Sequence, residues 1–141
     1  MRFLLDTDSV SYFLRGQGHV ASSMLARPPA DLGIPAPVLY ESRCRMRRLP
    51  EGRRREALLA ALDDLVRAIE VVPFDAGAAE CAASARAALA GRGTVVGPVD
   101  MQIAGIALAT GCVLVTRNSS EFGRIGGLQL QDWYDNLTIF L

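Results

Sequence analysis

The stretch GPVDMQIAGIALATGCVLVTRNSSEF, Gly97 to Phe122, carries one complete helix-to-strand unit. Ile103, Ala104, Ile106 and Ala107 recur at helical spacing and predict a helix over residues 101–109. Gly111 is a left-handed stop just past its end. Cys112 to Val115 then form an unbroken apolar run, the composition of a strand buried on both faces. At Thr116 the apolar run gives way to the polar segment TRNSSEF, a loop or short helix. A helix feeding a fully buried strand is the repeating unit of a parallel α/β sheet.

The same alternation extends outward from this unit. Arg2–Leu5, Leu32–Ile34, Glu70–Phe74 and Leu128–Leu130 read as strands, and the segments between them read as helices. Thr7 or Asp8 can cap a helix over Ser9–Leu14. Val20–Leu25 form a short helix, and Pro37 fits the first turn of one carrying Val38, Leu39 and Glu41. Leu58, Leu59, Leu62, Leu65, Val66 and Ile69 make a helical stripe, and Asp75 caps an Ala-rich helix to Leu89. The expected fold is an α/β sandwich with a mainly parallel central sheet, one domain over residues 1–141. No repeat, low-complexity tract or linker divides it.

Half of the 141 residues are hydrophobic and 21% are charged, as in ordinary globular proteins. No apolar run approaches the ~20 residues of a membrane span, and the N-terminus lacks the pattern of a secretory signal. Cys44, Cys81 and Cys112 are odd in number and far apart, so no disulfide framework is expected. A reducing cytoplasm is the expected compartment. Formal net charge is zero, but all 15 basic residues are Arg. Schiff-base, P-loop and general-base lysines are thereby excluded. Seven of the arginines fall between Arg43 and Arg55. His19, the single histidine, is expected in a loop as a surface or capping residue.

Open parallel sheets bind ligands outside the C-terminal ends of their strands. Asp6 lies at such an end in LLDTDSV, and TRNSSEF lies at another. Glu41 sits in PVLYES, and Asp100 opens the helix of the first stretch, where the dipole favours negative charge. Each acid alone has a plain structural explanation: a cap, a solvated helix residue, a first-turn acid. Together they fit one cluster. Carboxylates about 4 Å apart repel by roughly 4 kcal/mol per pair at an effective dielectric near 20. A divalent cation would neutralise such a cluster.

The order and spacing of LLDTDSVSYFLRG, Glu41, GPVDMQIAGIALATG and VLVTRNSSEFGRIGGLQLQDW resemble PIN-domain ribonucleases of the VapC toxin type across nearly the whole chain. The resemblance implies a three-layer PIN-like α/β/α sandwich and a metal-dependent ribonuclease toxin that cuts RNA phosphodiester bonds by water attack. It implies catalytic residues and metal ligands at Asp6, Glu41 and Asp100, with Asn118 or Glu121 completing the metal site. Many family members carry Asp where this chain has Asn118, and an apolar residue and a Gly where SRCR follows Glu41. The cofactor implied is Mg²⁺ or Mn²⁺. The partners implied are an RNA substrate, tRNA or rRNA, a VapB-type antitoxin and a second copy of the chain in a homodimer, with no membrane. Arg15, Arg117, Arg43, Arg53 and Arg54 are candidates for binding the RNA backbone; the alternative for the Arg43–Arg55 run is a solvated helix face with salt bridges to Glu51 and Glu56.

Two other readings compete. LLDTDSV also fits a phosphatase whose first Asp is a nucleophile, but that chemistry needs a downstream Lys, and this chain has none. The second is a catalytically weak or inactive PIN-fold binding module acting in a complex, which Asn118 favours and the three retained acids oppose.

Overall fold

The computed structural model describes residues 1–136, so the last part of the expected domain, 137–141, lies outside the described residues. Five strands form one parallel sheet: β1 (Phe3–Leu5), β2 (Leu32–Pro35), β3 (Glu70–Val72), β4 (Val113–Val115) and β5 (Leu130–Gln131), in the order β3-β2-β1-β4-β5. β1 is central. Leu4 faces Gly33 of β2 on one side and Leu114 of β4 on the other. Phe3, Leu4 and Leu5 are buried, as continuous apolar runs in central parallel strands are.

Helices flank the sheet: α1 (Thr7–Arg15), α2 (Val20–Leu25), α3 (Ala36–Arg47), α4 (Arg53–Ala68), α5 (Ala76–Gly91), α6 (Pro98–Thr110) and the single turn α7 (Ser119–Phe122). The expected α/β sandwich with a parallel sheet is therefore the observed one. α5 and α6 pack closely because their shared face is made of small residues. A Cβ on Gly105 would fall 2.5 Å from the Ala78 carbonyl oxygen and 2.7 Å from the Ala82 Cβ. Glycine at position 105 thus sets how near the two helices lie.

Several boundaries differ from the sequence reading, four of them for an evident local reason. The cap of α1 is Asp6, not Thr7 or Asp8: its side chain accepts from the Ser9 N–H and the helix begins at Thr7. β3 stops at Val72 because Pro73 has no N–H for the ladder. α6 begins at Pro98, whose fixed φ suits a first helical position, making Asp100 its third residue. β5 starts at Leu130 because Leu128 still belongs to a turn, its N–H donating to the Ile125 carbonyl after Gly127 at φ +80°.

Topology places the crevice. From β1 the chain runs to β2 and β3 on one side, then crosses to β4 and β5 on the other. The C-terminal edge between β1 and β4 is therefore the switch point where open sheets admit ligands.

Candidate active site

Asp6 leaves β1 at that switch point. Its backbone N–H donates to the Val115 carbonyl of β4 (3.1 Å), which also accepts from the Ser9 hydroxyl (3.0 Å). Its Oδ1 accepts from the Ser9 N–H at 2.8 Å, and its carboxylate is also held by the Thr116 side chain. The residue is only 4% exposed. Burial pushes its pKa up; the bonds from Thr116 and Ser9 oppose that, and the charge of Asp8 adds to it. Asp6 is thus a rigid carboxylate, capping α1 with one oxygen.

Glu41 comes from α3, the helix that follows β2, and its Oε1 accepts a short hydrogen bond from the Thr7 hydroxyl. Asp100 comes from the first turn of α6. That helix leads into β4 and so starts at the C-terminal edge of the sheet. Burial lifts the Asp100 pKa to about 6, with Glu121, Glu41, Asp6 and Asp8 contributing in that order. Four carboxylates therefore act on Asp100 in the same direction.

Asp6, Glu41, Asp100, Asp8 and Asn118 line one cavity of about 160 Å³ with almost wholly polar walls. Asn118 occupies the polar turn after β4. Its N–H donates to the Thr116 hydroxyl (3.0 Å), its side-chain amide donates to Glu121 Oε2 (2.8 Å) and its Oδ1 accepts from Ser120 (3.4 Å). Glu121 does not line the cavity but raises the Asp100 pKa from behind Asn118. Among the described residues, no three Asp, Glu, His or Cys side chains stand close enough to make a metal-binding cluster by themselves. A larger, more open groove of about 700 Å³ runs between α5 and α6, and its mostly apolar walls offer no such set of acids.

The arginines singled out in the sequence disperse. Arg43 pairs with Asp63 at 2.6 Å, tying α3 to α4, so the partner is neither Glu51 nor Glu56. Arg53 and Arg54 are exposed in the first turn of α4 and do not line the cavity. Arg117 turns to Tyr134, its guanidinium 3.7 Å from the ring centroid, and to Asp135 at 3.5 Å, rather than into the cavity. Arg15 lines a small depression beside the cavity. His19 is exposed at the start of α2, as expected of a capping position, but its side chain makes no capping bond. Thr7, Ser9 and Thr116, which sequence reasoning did not assign to the site, hold the acids, and Arg45, one of the Arg43–Arg55 run, forms a wall. Arg45 lies four residues after Glu41 on α3, a spacing that puts both on one helix face.

A family model described as PIN domain matches residues 3–128. This chain belongs to the PIN-domain family. It is 45% identical over 78 residues to the tRNA(fMet)-specific endonuclease VapC of Shigella flexneri, a match covering 55% of this chain and 59% of that protein. It is 31% identical over 83 residues to Ribonuclease VapC2 of Rickettsia felis, covering 59% of this chain and 62% of that one. The match thus spans about three fifths of the length of these curated relatives. The PIN-domain fold also superposes on DNA-bound VapBC from Salmonella typhimurium with a TM-score of 0.84 and 31% identity, covering 94% of this chain and 98% of that one. Among the described residues, no helix is long and apolar enough to cross a membrane.

Proposed function

We propose that this PIN-domain protein is a metal-dependent ribonuclease, the toxin member of a VapBC-type pair, which hydrolyses RNA phosphodiester bonds with an activated water. One observation carries the reading. Asp6, Glu41 and Asp100 line a single small polar cavity at the β1/β4 crevice, in a chain whose relatives bear the names of endonucleases and ribonucleases.

The donor set suits a hard divalent cation, because every acid offers oxygen. The carboxylates surround open space instead of closing into a cage, which fits Mg²⁺ held by one or two carboxylates and its own waters. Mn²⁺ fits the same ligands. When bound, the cation supplies positive charge at the scissile phosphate and activates water there. Asp6 and Asp100 are the residues proposed to hold it. Asp6 is held in place by Ser9 and Thr116, so little ordering remains when a ligand arrives. Asp100 has a raised pKa, so protons compete with the cation for it and acid conditions weaken binding. Glu41, held by Thr7 and lining the same cavity, is the residue proposed to orient water. Asn118 contributes an amide where a carboxylate would add charge, and Glu121, bonded to Asn118, adds its charge beside Asp100.

An RNA substrate, with tRNA the first to test, a VapB-type antitoxin and a homodimer belong to the same proposal. Purified, antitoxin-free protein incubated with tRNA or rRNA should cleave in Mg²⁺ or Mn²⁺ and stop in EDTA. Asp6→Asn should lower the rate by roughly 10³-fold. Equal cleavage by the variant, or cleavage that ignores metal, would remove the catalytic claim. Absence of cleavage with binding retained would instead favour the PIN-fold binding module.

A further inference from the structure

The acidic cavity has one cationic wall, Arg45. The same side chain lines an adjoining depression of about 20 Å³, where it meets Thr7, Arg15 and Ser42. That volume accepts a single oxygen atom rather than a whole anion. Ser42 is 3% exposed, and its hydroxyl has no hydrogen-bond partner among the described residues. A buried hydroxyl is unfavourable without a partner, so Ser42 is available to donate to an oxygen that enters the depression. Arg45 at present donates to Asp8 Oδ1 at 2.8 Å, with both side chains half-exposed. Exposed pairs of this kind contribute little to stability, so the guanidinium can leave Asp8 for a better acceptor at small cost.

RNA entering this cavity meets Asp6, Asp8, Glu41 and Asp100 together. A cation at the scissile phosphate relieves the repulsion of the next phosphate along the strand only in part, because the attraction falls with distance. We propose that Arg45, with Arg15 beside it and Ser42 beneath, binds that neighbouring RNA phosphate, exchanging Asp8 for the phosphate oxygens. The inference rests on the ribonuclease reading and deepens it by assigning a backbone subsite on the α1–α3 side of the acids. Guanidinium suits the task because it can bond two phosphate oxygens at once.

The test is RNA-oligonucleotide binding in EDTA, where no cleavage occurs, across a salt series. Arg45→Ala should raise the dissociation constant about tenfold and reduce the salt slope by about one. Arg45→Lys should keep the slope while losing part of the affinity, and Arg15→Ala should act in the same direction as Arg45→Ala but less. Asp8→Asn should tighten binding, because it removes the competing acceptor. A merely bracing ion pair would instead make Asp8→Asn and Arg45→Ala weaken binding alike, and that result would overturn the subsite. So would unchanged affinity and slope in Arg45→Ala. Wild-type cleavage in Mg²⁺ is measured alongside. If the wild type cleaves while Arg45→Ala binds normally, the subsite alone falls; if the wild type neither binds nor cleaves RNA, the ribonuclease reading falls with it.

Discussion

Two buried charges stand at opposite ends of β1, and their surroundings differ in kind. At the start of the strand, Arg27 is 5% exposed, with its guanidinium 4.8 Å from the Phe3 ring centroid and 4.2 Å from that of Trp133. Its NH1 donates to the Ser23 carbonyl at 2.7 Å. Aromatic faces and a carbonyl are what a cation prefers when water is removed. At the other end, Asp6 is buried to the same degree, but its nearby charge is that of Asp8, and its own charge falls on Asp100. Both are buried, and each has a like charge nearby, Arg2 for Arg27 and Asp8 for Asp6. Arg27 is covered by aromatic rings, whereas Asp6, held by Ser9 and Thr116, faces a polar cavity shared with Asp8, Glu41 and Asp100. Burial alone does not separate structure from function here; what the charge faces does.

The sharpest way to break that contrast is to remove each charge and measure stability. Arg27→Ala should cost about 3 kcal/mol, since it uncovers the Phe3 and Trp133 rings and removes the guanidinium bond to the Ser23 carbonyl. Arg27→Met, which keeps most of the stem, should cost less, and the difference between the two separates packing from the cation–ring contact. Urea unfolding at constant m-value measures both. A loss under 1 kcal/mol for Arg27→Ala would mean that the cation is not structural.

Asp6→Asn should move stability the other way. The amide oxygen can still accept from the Ser9 N–H, because Asn caps helices about as well as Asp. The buried charge and its repulsion of Asp100 disappear. A gain of about 1 kcal/mol in EDTA is expected, from the same substitution that is expected to slow the proposed cleavage. A net loss of stability would show that the carboxylate serves the fold first.

The contrast also explains what was legible in the sequence. Strand β1, the Gly111 stop and the Asp75 cap are local events, decided by a few neighbouring residues, and they appear where expected. Asp6 and Asp100 were legible because a strand end and a helix start are also local landmarks. The arginines were not. Arg43 finds Asp63 across a helix pair, and Arg117 finds Tyr134 from a turn 17 residues away in sequence. A long flexible side chain chooses among partners that only the assembled fold brings near. Arg45 was the exception within reach, one helical turn beyond Glu41.

Asp100 gives the smallest effect and the most specific one. Its pKa lies near 6 in the folded chain against an ordinary value of 3.8. Between those values the folded protein holds a proton that the unfolded chain has released, so stability falls as pH rises through this window. The penalty is complete only above pH 6. Asp100→Asn cannot titrate, so in EDTA it should melt about 2 °C higher than the wild type at pH 7.5 and higher by about a third of that at pH 4.5. The residue is partly exposed, and solvent screening keeps the gain small. Added Mg²⁺ should raise the wild-type melting temperature at pH 7.5 by binding the folded state, and should do less for the variant. An equal shift at both pH values would mean that the variant gains from packing rather than from relief of charge. The neighbouring acids would then have lost their claim to act on Asp100 as one group.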